Sequence, residues 1–320
     1  MPTSLVSQGV QYPNGSIRTS GKWATRAIFG YGTNNFAFSF LESVTNLINN
    51  YGVVSTSTTG VGTTRAALAA AGYGGDKAIF GYGRTTTVVS MTNLVSNLGV
   101  VGSEITGVGT SRSALAAAGY GTDKAIFGYG FDGSAYVSLT NLVSNVGVVA
   151  NVVTGVGTVR GFLAAAGYGG DKAIFGYGRT STTGQGATVS TTNLVSNVGV
   201  VGANVTGVGQ NRSNLAAAGY GGDKAIFGYG EVPTASTLSM TNLVSNTGVV
   251  GSNVTGVGIV RTKLAAAGYG GDKAIFGYGE NSGGSATTVT NLVSNLGVVA
   301  ADIFVSGVGR MHLAAASYSS

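Results

Sequence analysis

Cysteine does not occur in this chain of 320 residues, so no disulfide framework and no thiolate metal site can form, and the chain brings no redox chemistry of its own. Histidine occurs once, at His312, which leaves no histidine ligand cluster and no Ser-His-Asp set to draw; beside Met311 it reads as a structural or surface residue. Charge is scarce, at 9% of residues against roughly 25% in ordinary soluble domains, so Ser, Thr, Asn and backbone must cover much of the surface. The net charge is +6, but the basic residues are spread along the chain and mark no nucleic-acid patch. Eighteen apolar residues never occur together, and residues 1–16 show no basic segment followed by an apolar one. The expectation is therefore neither membrane insertion nor Sec secretion.

What the chain does have is repetition. The string IFGYG occurs six times, beginning at Ile28, Ile79, Ile126, Ile174, Ile226 and Ile275, with steps of 51, 47, 48, 52 and 49 residues. A period near fifty with glycine and aromatic punctuation predicts a propeller of small radial sheets. One unit, starting at Leu115, reads LAAAGYG, TDKAIFGYG, a variable stretch, TNLVSNVGVV and ANVVTGVGTVR. Four short segments bounded by Gly or Asn, with no sustained 3.6-residue apolar period, predict four strands and no helix. The alanine run, 69–71 and its copies, is expected on the innermost strand, where only small side chains let backbones converge. In KAIFGYG, alternation sends Ile79 and Phe80 to opposite sheet faces, both covered by neighbouring blades.

The chain closes on LAAASYSS, residues 313–320, a further copy of the inner strand, while the beginning lacks a convincing one. The fold expected is all-β, a six-bladed β-propeller with four-stranded blades, its ring closed by the C-terminal strand completing the N-terminal blade. This makes residues 22–320 one domain. Residues 1–21 are left as an outer strand of the first blade or an arm that pairs with another molecule.

Length changes concentrate in one connection: 12 residues lie between IFGYG and TNL in the first unit, eight in the second and thirteen in the fourth. Insertions in repeat arrays map to loops on one face, often the binding face. Phe131, Asp132, Tyr136, Gln185, Pro233 and Glu280 are the candidate interaction residues in these loops.

The unit resembles a kelch repeat, in which an Arg precedes a small-residue strand, followed by a strand ending in glycines, a variable loop and two outer strands. The matching residues are Arg65, Arg112, Arg160, Arg212, Arg261 and Arg310 before each LAAA, with GYG in place of the glycine doublet. The resemblance covers residues 22–320 and departs at the outer tryptophan, since the one Trp is Trp23. The resemblance implies the same propeller fold. The near-identical units are also similar in style to glycine-rich repeats of uncharacterised virion proteins of tailed bacteriophages.

Little chemistry is legible. GYGGDK lacks phosphate-loop spacing and leads into a strand. The pairs Asp76–Lys77, Asp123–Lys124, Asp171–Lys172, Asp223–Lys224 and Asp272–Lys273 suggest a ring of carboxylates for a cation or pore. As structure, they suggest a turn in which the Asp accepts backbone N–H bonds and a neighbouring blade's Arg pairs with it. The first unit has Thr25–Arg26 instead, which breaks a six-fold ligand ring, so the turn and ion-pair reading is preferred. Asn93 and Asn97, with copies such as Asn141 and Asn145, suit local turn bonds or, less simply, glycan contacts. With no matched acid and base, no metal set and no cofactor motif, the expectation is a non-enzymatic structural or interaction protein. Its expected setting is a virion, as a tail, fibre, neck or capsid-surface component made in the host cytoplasm, with other virion proteins or copies of itself as partners. The alternative is a carbohydrate-binding propeller lectin with near-equivalent sites between blades and a host-surface glycan as partner.

Overall fold

The computed structural model of the protein describes residues 4–6, 9–11, 17–18, 25–35, 37–182 and 187–319. Among them every regular element is a strand, the pairs are antiparallel and no helix occurs, so none is long and apolar enough to cross a membrane. Six sheets share one plan. Ala69–Tyr73, Lys77–Gly81, Thr92–Val95 and Val101–Ile105 make one; Ala116–Tyr120, Lys124–Gly128 and Thr140–Val143 the next. Later sheets begin at Ala164–Tyr168, Ala216–Tyr220 and Ala265–Tyr269. The register of the inner strands repeats: Ala70 faces Phe80 and Phe80 faces Asn93, as Ala117 faces Phe127 and Phe127 faces Asn141. Ser4–Val6, Gly9–Gln11 and Ile17–Arg18 pair with one another in a small sheet of their own.

The second strand of each unit is buried on both faces, because neighbouring sheets cover both. Phe80 packs with Ile28, Tyr31 and Ala316 on one side, while Ile79 packs with Tyr73, Leu115 and Phe127 on the other. The glycine after each Phe has a steric reason: a Cβ on Gly81 would lie 2.7 Å from the Phe127 ring. Inner strands also crowd one another, since a Cβ on Gly119 would lie 3.2 Å from the Gly72 carbonyl oxygen and one on Gly72 3.0 Å from that of Ser317. This crowding is why the inner strand holds alanine and glycine.

The sheet at the chain's beginning is completed from its end. Ala314–Ser319 pairs with Thr25–Thr33, from Ala314 opposite Gly30 to Ser319 opposite Thr25, and Leu41–Ile48 follows outside. Ala314–Ser319 also contacts both Ala265–Tyr269 and Ala69–Tyr73. The outer segment differs from a uniform four-stranded plan. It is a regular strand in two sheets, as Val101–Ile105 and Ile303–Phe304, and elsewhere reduces to single bridges such as Thr140 with Val153 and Val143 with Val149. These edge segments are glycine-rich and largely exposed, so no packing enforces a continuous ladder there.

Candidate functional site

The six repeated arginines are structural staples, each buried. Arg112 donates to the carbonyls of Tyr129 (3.0 Å) and Leu139 (2.6 Å) and to the Asn141 side chain, while its guanidinium lies 4.9 Å over the Tyr82 ring of the preceding sheet. Arg160, Arg212, Arg261 and Arg310 repeat the stacking on Tyr129, Tyr177, Tyr229 and Tyr278 and the bond to the TNL asparagine, here Asn193, Asn242, Asn291 and Asn46. Arg65 stacks on Tyr31, donates to Asn93 at 2.8 Å, and adds a carboxylate partner, Glu104 at 3.2 Å. Burial pushes all six guanidinium pKa values down and those of the stacked tyrosines up. The TNL asparagine is thus a buried acceptor for Arg that also donates to the outer edge segment, Asn141 to Ala150 O at 2.9 Å.

The expected pairing of these arginines with the turn aspartates does not form. The two groups sit at opposite ends of a five-residue inner strand, about 17 Å apart at 3.3 Å per residue. Each Asp instead pairs with the Lys that follows it, at 2.7 Å for Asp76–Lys77, 2.9 Å for Asp123–Lys124, 3.0 Å for Asp171–Lys172 and Asp223–Lys224, and 2.8 Å for Asp272–Lys273, partly exposed. The link to the neighbouring sheet runs through the Asp backbone: Gly74 N–H donates to Asp123 O, Gly121 to Asp171 O, Gly169 to Asp223 O and Gly221 to Asp272 O, each at 2.7 Å. A main-chain carbonyl needs no particular side chain. Hence Thr25 takes the same place, accepting from Gly270 at 2.8 Å, and the unit lacking Asp–Lys is not a defect.

At the other end of the inner strands, the residue between each Arg-x pair and LAAA forms a closed cycle of backbone hydrogen bonds. Ala67 donates to His312, His312 to Lys263, Lys263 to Asn214, Asn214 to Phe162, Phe162 to Ala114 and Ala114 to Ala67, all at 2.8–2.9 Å. All six residues have φ between +52° and +57°, a left-handed conformation uncommon for side chains of this size. In units that are otherwise nearly identical, these equivalent positions carry Ala, Ala, Phe, Asn, Lys and His. One backbone geometry presents six chosen side chains, above a floor of the buried leucines Leu68, Leu115, Leu163, Leu215, Leu264 and Leu313.

Over this cycle opens a cavity of about 480 Å³, within the usual size of a small-molecule site. Its two halves differ. One is aromatic: Phe38 stacks near His312 (5.1 Å between centroids), Phe162 near His312 (6.1 Å) and Tyr136 (6.4 Å), and Phe131 near Tyr136 (6.0 Å). The other is ionic. Glu231 accepts from Arg179, from Asn214 (2.8 Å) and from Thr262 (3.3 Å), Arg179 also donates to Ser213 (2.9 Å), and Lys263 bonds Glu280 at 2.6 Å. Arg84 lies 4.8 Å over the Phe38 ring. Among the described residues no group of three or more His, Asp or Glu is placed to hold a metal.

Of the loop residues singled out from the sequence, Phe131, Tyr136 and Glu280 line this cavity. Asp132 folds its own loop, its carboxylate accepting from the N–H groups of Ser134 and Ala135 at 2.8 Å, which holds its pKa below the usual carboxylate range. Pro233 lies in the same kind of loop without lining the cavity. Gln185 lies outside the described residues. Sequence reasoning missed Arg84, Phe162, Arg179, Asn214, Glu231 and Lys263 and took His312 for an incidental residue. A signal was present: in aligned units, the two residues after the repeated Arg and those that follow GYG change from copy to copy, while the LAAA and IFGYG strings beside them do not.

His312 makes a pH prediction. Burial, together with the charges of Lys263, Arg84 and Arg179 facing it, pushes its imidazole from the ordinary 6.5 down to about 3. The unfolded chain therefore binds a proton that the folded one excludes. Stability from this site is fully present above pH 6.5 and falls by about 1.4 kcal/mol per pH unit as pH drops from there toward 3. Thermal melting of wild type and His312→Phe between pH 7 and 5 is expected to show a slope in the first and a much flatter one in the second; equal slopes would place the titrating group elsewhere.

The opposite end is repetitive instead of divergent. A basin of about 370 Å³ is ringed by Tyr73, Tyr120, Tyr168, Tyr220, Tyr269 and Tyr318 with the turn lysines. Beside it, each unit exposes an apolar turn, as in Leu98 and Val100, Val146 and Val148, or Leu296 and Val298, at 63–76% of full exposure. The turn is held against the basin's tyrosines, since a Cβ on Gly147 would lie 2.9 Å from the Tyr73 ring. Compared with protein-family models and with curated proteins, the chain matches none.

Proposed function

We propose that the chain is a six-bladed, kelch-like β-propeller closed by its C-terminal strand, and that it is a non-enzymatic interaction protein of a virion. The propeller reading is supported by the hydrogen-bond cycle that returns to Ala67, by the pairing of Ala314–Ser319 with Thr25–Thr33, and by Arg310 of the last unit stacking on Tyr278 while donating to Tyr31 O (3.1 Å) and Val44 O (2.7 Å) of the first. The observation that carries the functional reading is the contrast between the two ends. The repeated end offers the same exposed apolar turn again and again, a surface suited to copies of this chain or to other virion proteins. The divergent end concentrates its differences in one cavity and is suited to recognition.

Electron microscopy of the native source material tests the assembly. Regular copies in a particle or filament, with the tyrosine-lined end toward a neighbour and the cavity outward, are the expected result; rings found only free in solution would count against a virion role. A second reading, a carbohydrate-binding lectin, is favoured by the aromatic wall of the cavity. It takes a different form from sites shared between blades: one asymmetric site at the meeting point of all six units.

A further inference from the structure

We propose that this cavity binds a carboxylate-bearing sugar ring, with Arg84 receiving the carboxylate. The assignment rests on the cavity being the recognition site. Three permanent cations, Arg84, Arg179 and Lys263, face it, against two carboxylates, Glu231 and Glu280. Both carboxylates are committed, Glu231 to Arg179, Asn214 and Thr262, and Glu280 to Lys263. Arg84 is the cation left over. Among the described residues it forms no salt bridge with a carboxylate, and its guanidinium lies 4.8 Å over the Phe38 ring at the cavity wall. A guanidinium placed over a ring is restrained by it, and its terminal N–H groups suit a planar, two-oxygen anion.

The rest of the ligand follows from the remaining wall. Phe38, Phe162 and Tyr136 offer faces to an apolar ring surface, which suits the C–H face of a pyranose. The Thr237 hydroxyl has no partner of its own, and Asn214 and Asn281 keep amide atoms beyond the bonds they make to Glu231 and to the Gly283 and Ser285 N–H groups. A flat aromatic acid would leave these unmet, and unmet polar groups in a closed site weaken binding; a ring bearing several hydroxyls meets them. An acidic monosaccharide unit satisfies all three features together.

The test is calorimetric titration of the full chain with glucuronic acid and with glucose, which differ at the carboxylate. Wild type is expected to bind the acid about tenfold or more tightly than the neutral sugar, as a charge-assisted pair with Arg84 implies. In Arg84→Gln the preference is expected to fall to near unity with the melting temperature little changed. The wild-type comparison needs no variant, so a folding failure would not blunt the test. Equal binding of the two sugars, or a preference that survives in Arg84→Gln, overturns the carboxylate assignment while leaving a sugar site in place. If neither sugar binds, and an array of acid-terminated oligosaccharides is also silent, the recognition reading falls with it. Binding to the array but not to the free monosaccharide supports the assignment and places the acid at the end of a longer glycan.

Discussion

Deleting residues 313–320 is expected to leave a chain that does not fold. Those residues supply the inner strand of the first sheet, and without them Thr25–Thr33 would present an unpaired edge where it now has a partner over six positions. Leu313 and Tyr318 are buried in two different interfaces, with Ile275 and Tyr269 on one side and Ile28 and Phe80 on the other. Losing their burial costs about 3–6 kcal/mol, and each lost ladder bond adds about 1 kcal/mol, against a total stability of roughly 5–15 kcal/mol for a whole domain. The hydrogen bonds of Ser317 to Gly268 O (2.8 Å) and of Ser319 N–H to Asp76 O (3.0 Å) go with them. Circular dichroism and gel filtration should report an unfolded or aggregated product, partly recovered by a peptide of residues 310–320 added in trans. A truncated chain that melts within a few degrees of the full one would rule out closure by the terminal strand.

The next largest effect belongs to the buried arginines. Arg212→Ala is expected to cost about 3–5 kcal/mol, because it removes the buried donor of the Tyr229 and Met240 carbonyls and of the Asn242 side chain and opens a void over Tyr177. Arg212→Lys should recover little, since one ammonium cannot span both the carbonyls and the amide while stacking on a ring. Lys224→Ala, which removes an Asp–Lys pair open to water at the turn, is expected to leave the melting temperature unchanged within error. Denaturation of the three variants side by side ranks them; an Arg212→Ala no weaker than Lys224→Ala would mean that the staple contributes nothing.

The two kinds of charged residue look alike in the sequence, the Arg recurring in all six units and the Asp–Lys pair in five, and only one of them matters to stability on this argument. Spacing along the chain shows that they recur; it does not show that the inner strand holds them apart, nor that a buried asparagine waits for the Arg. The loops were legible as the divergent face because insertions collect there, and Phe131, Tyr136 and Glu280 line the cavity. Arg84, Arg179 and Lys263 were overlooked because each stands at an unremarkable place in its own unit. Their meaning comes from residues in other units.

By itself the sequence determined the all-β class, the repeat boundaries, the alanine and glycine inner strand and the burial of Ile and Phe on opposite faces of each sheet. These follow from period, turn chemistry and side-chain size, which act within one unit or between identical neighbours. Only the tertiary structure decided where the charges go and what the divergent residues make together. Positions about fifty residues apart, as Ala67, Ala114, Phe162, Asn214, Lys263 and His312 are, become neighbours through a cycle of backbone bonds. Their side chains share a cavity because six separate strand ends converge, and convergence of that kind has no local signature in any one of them.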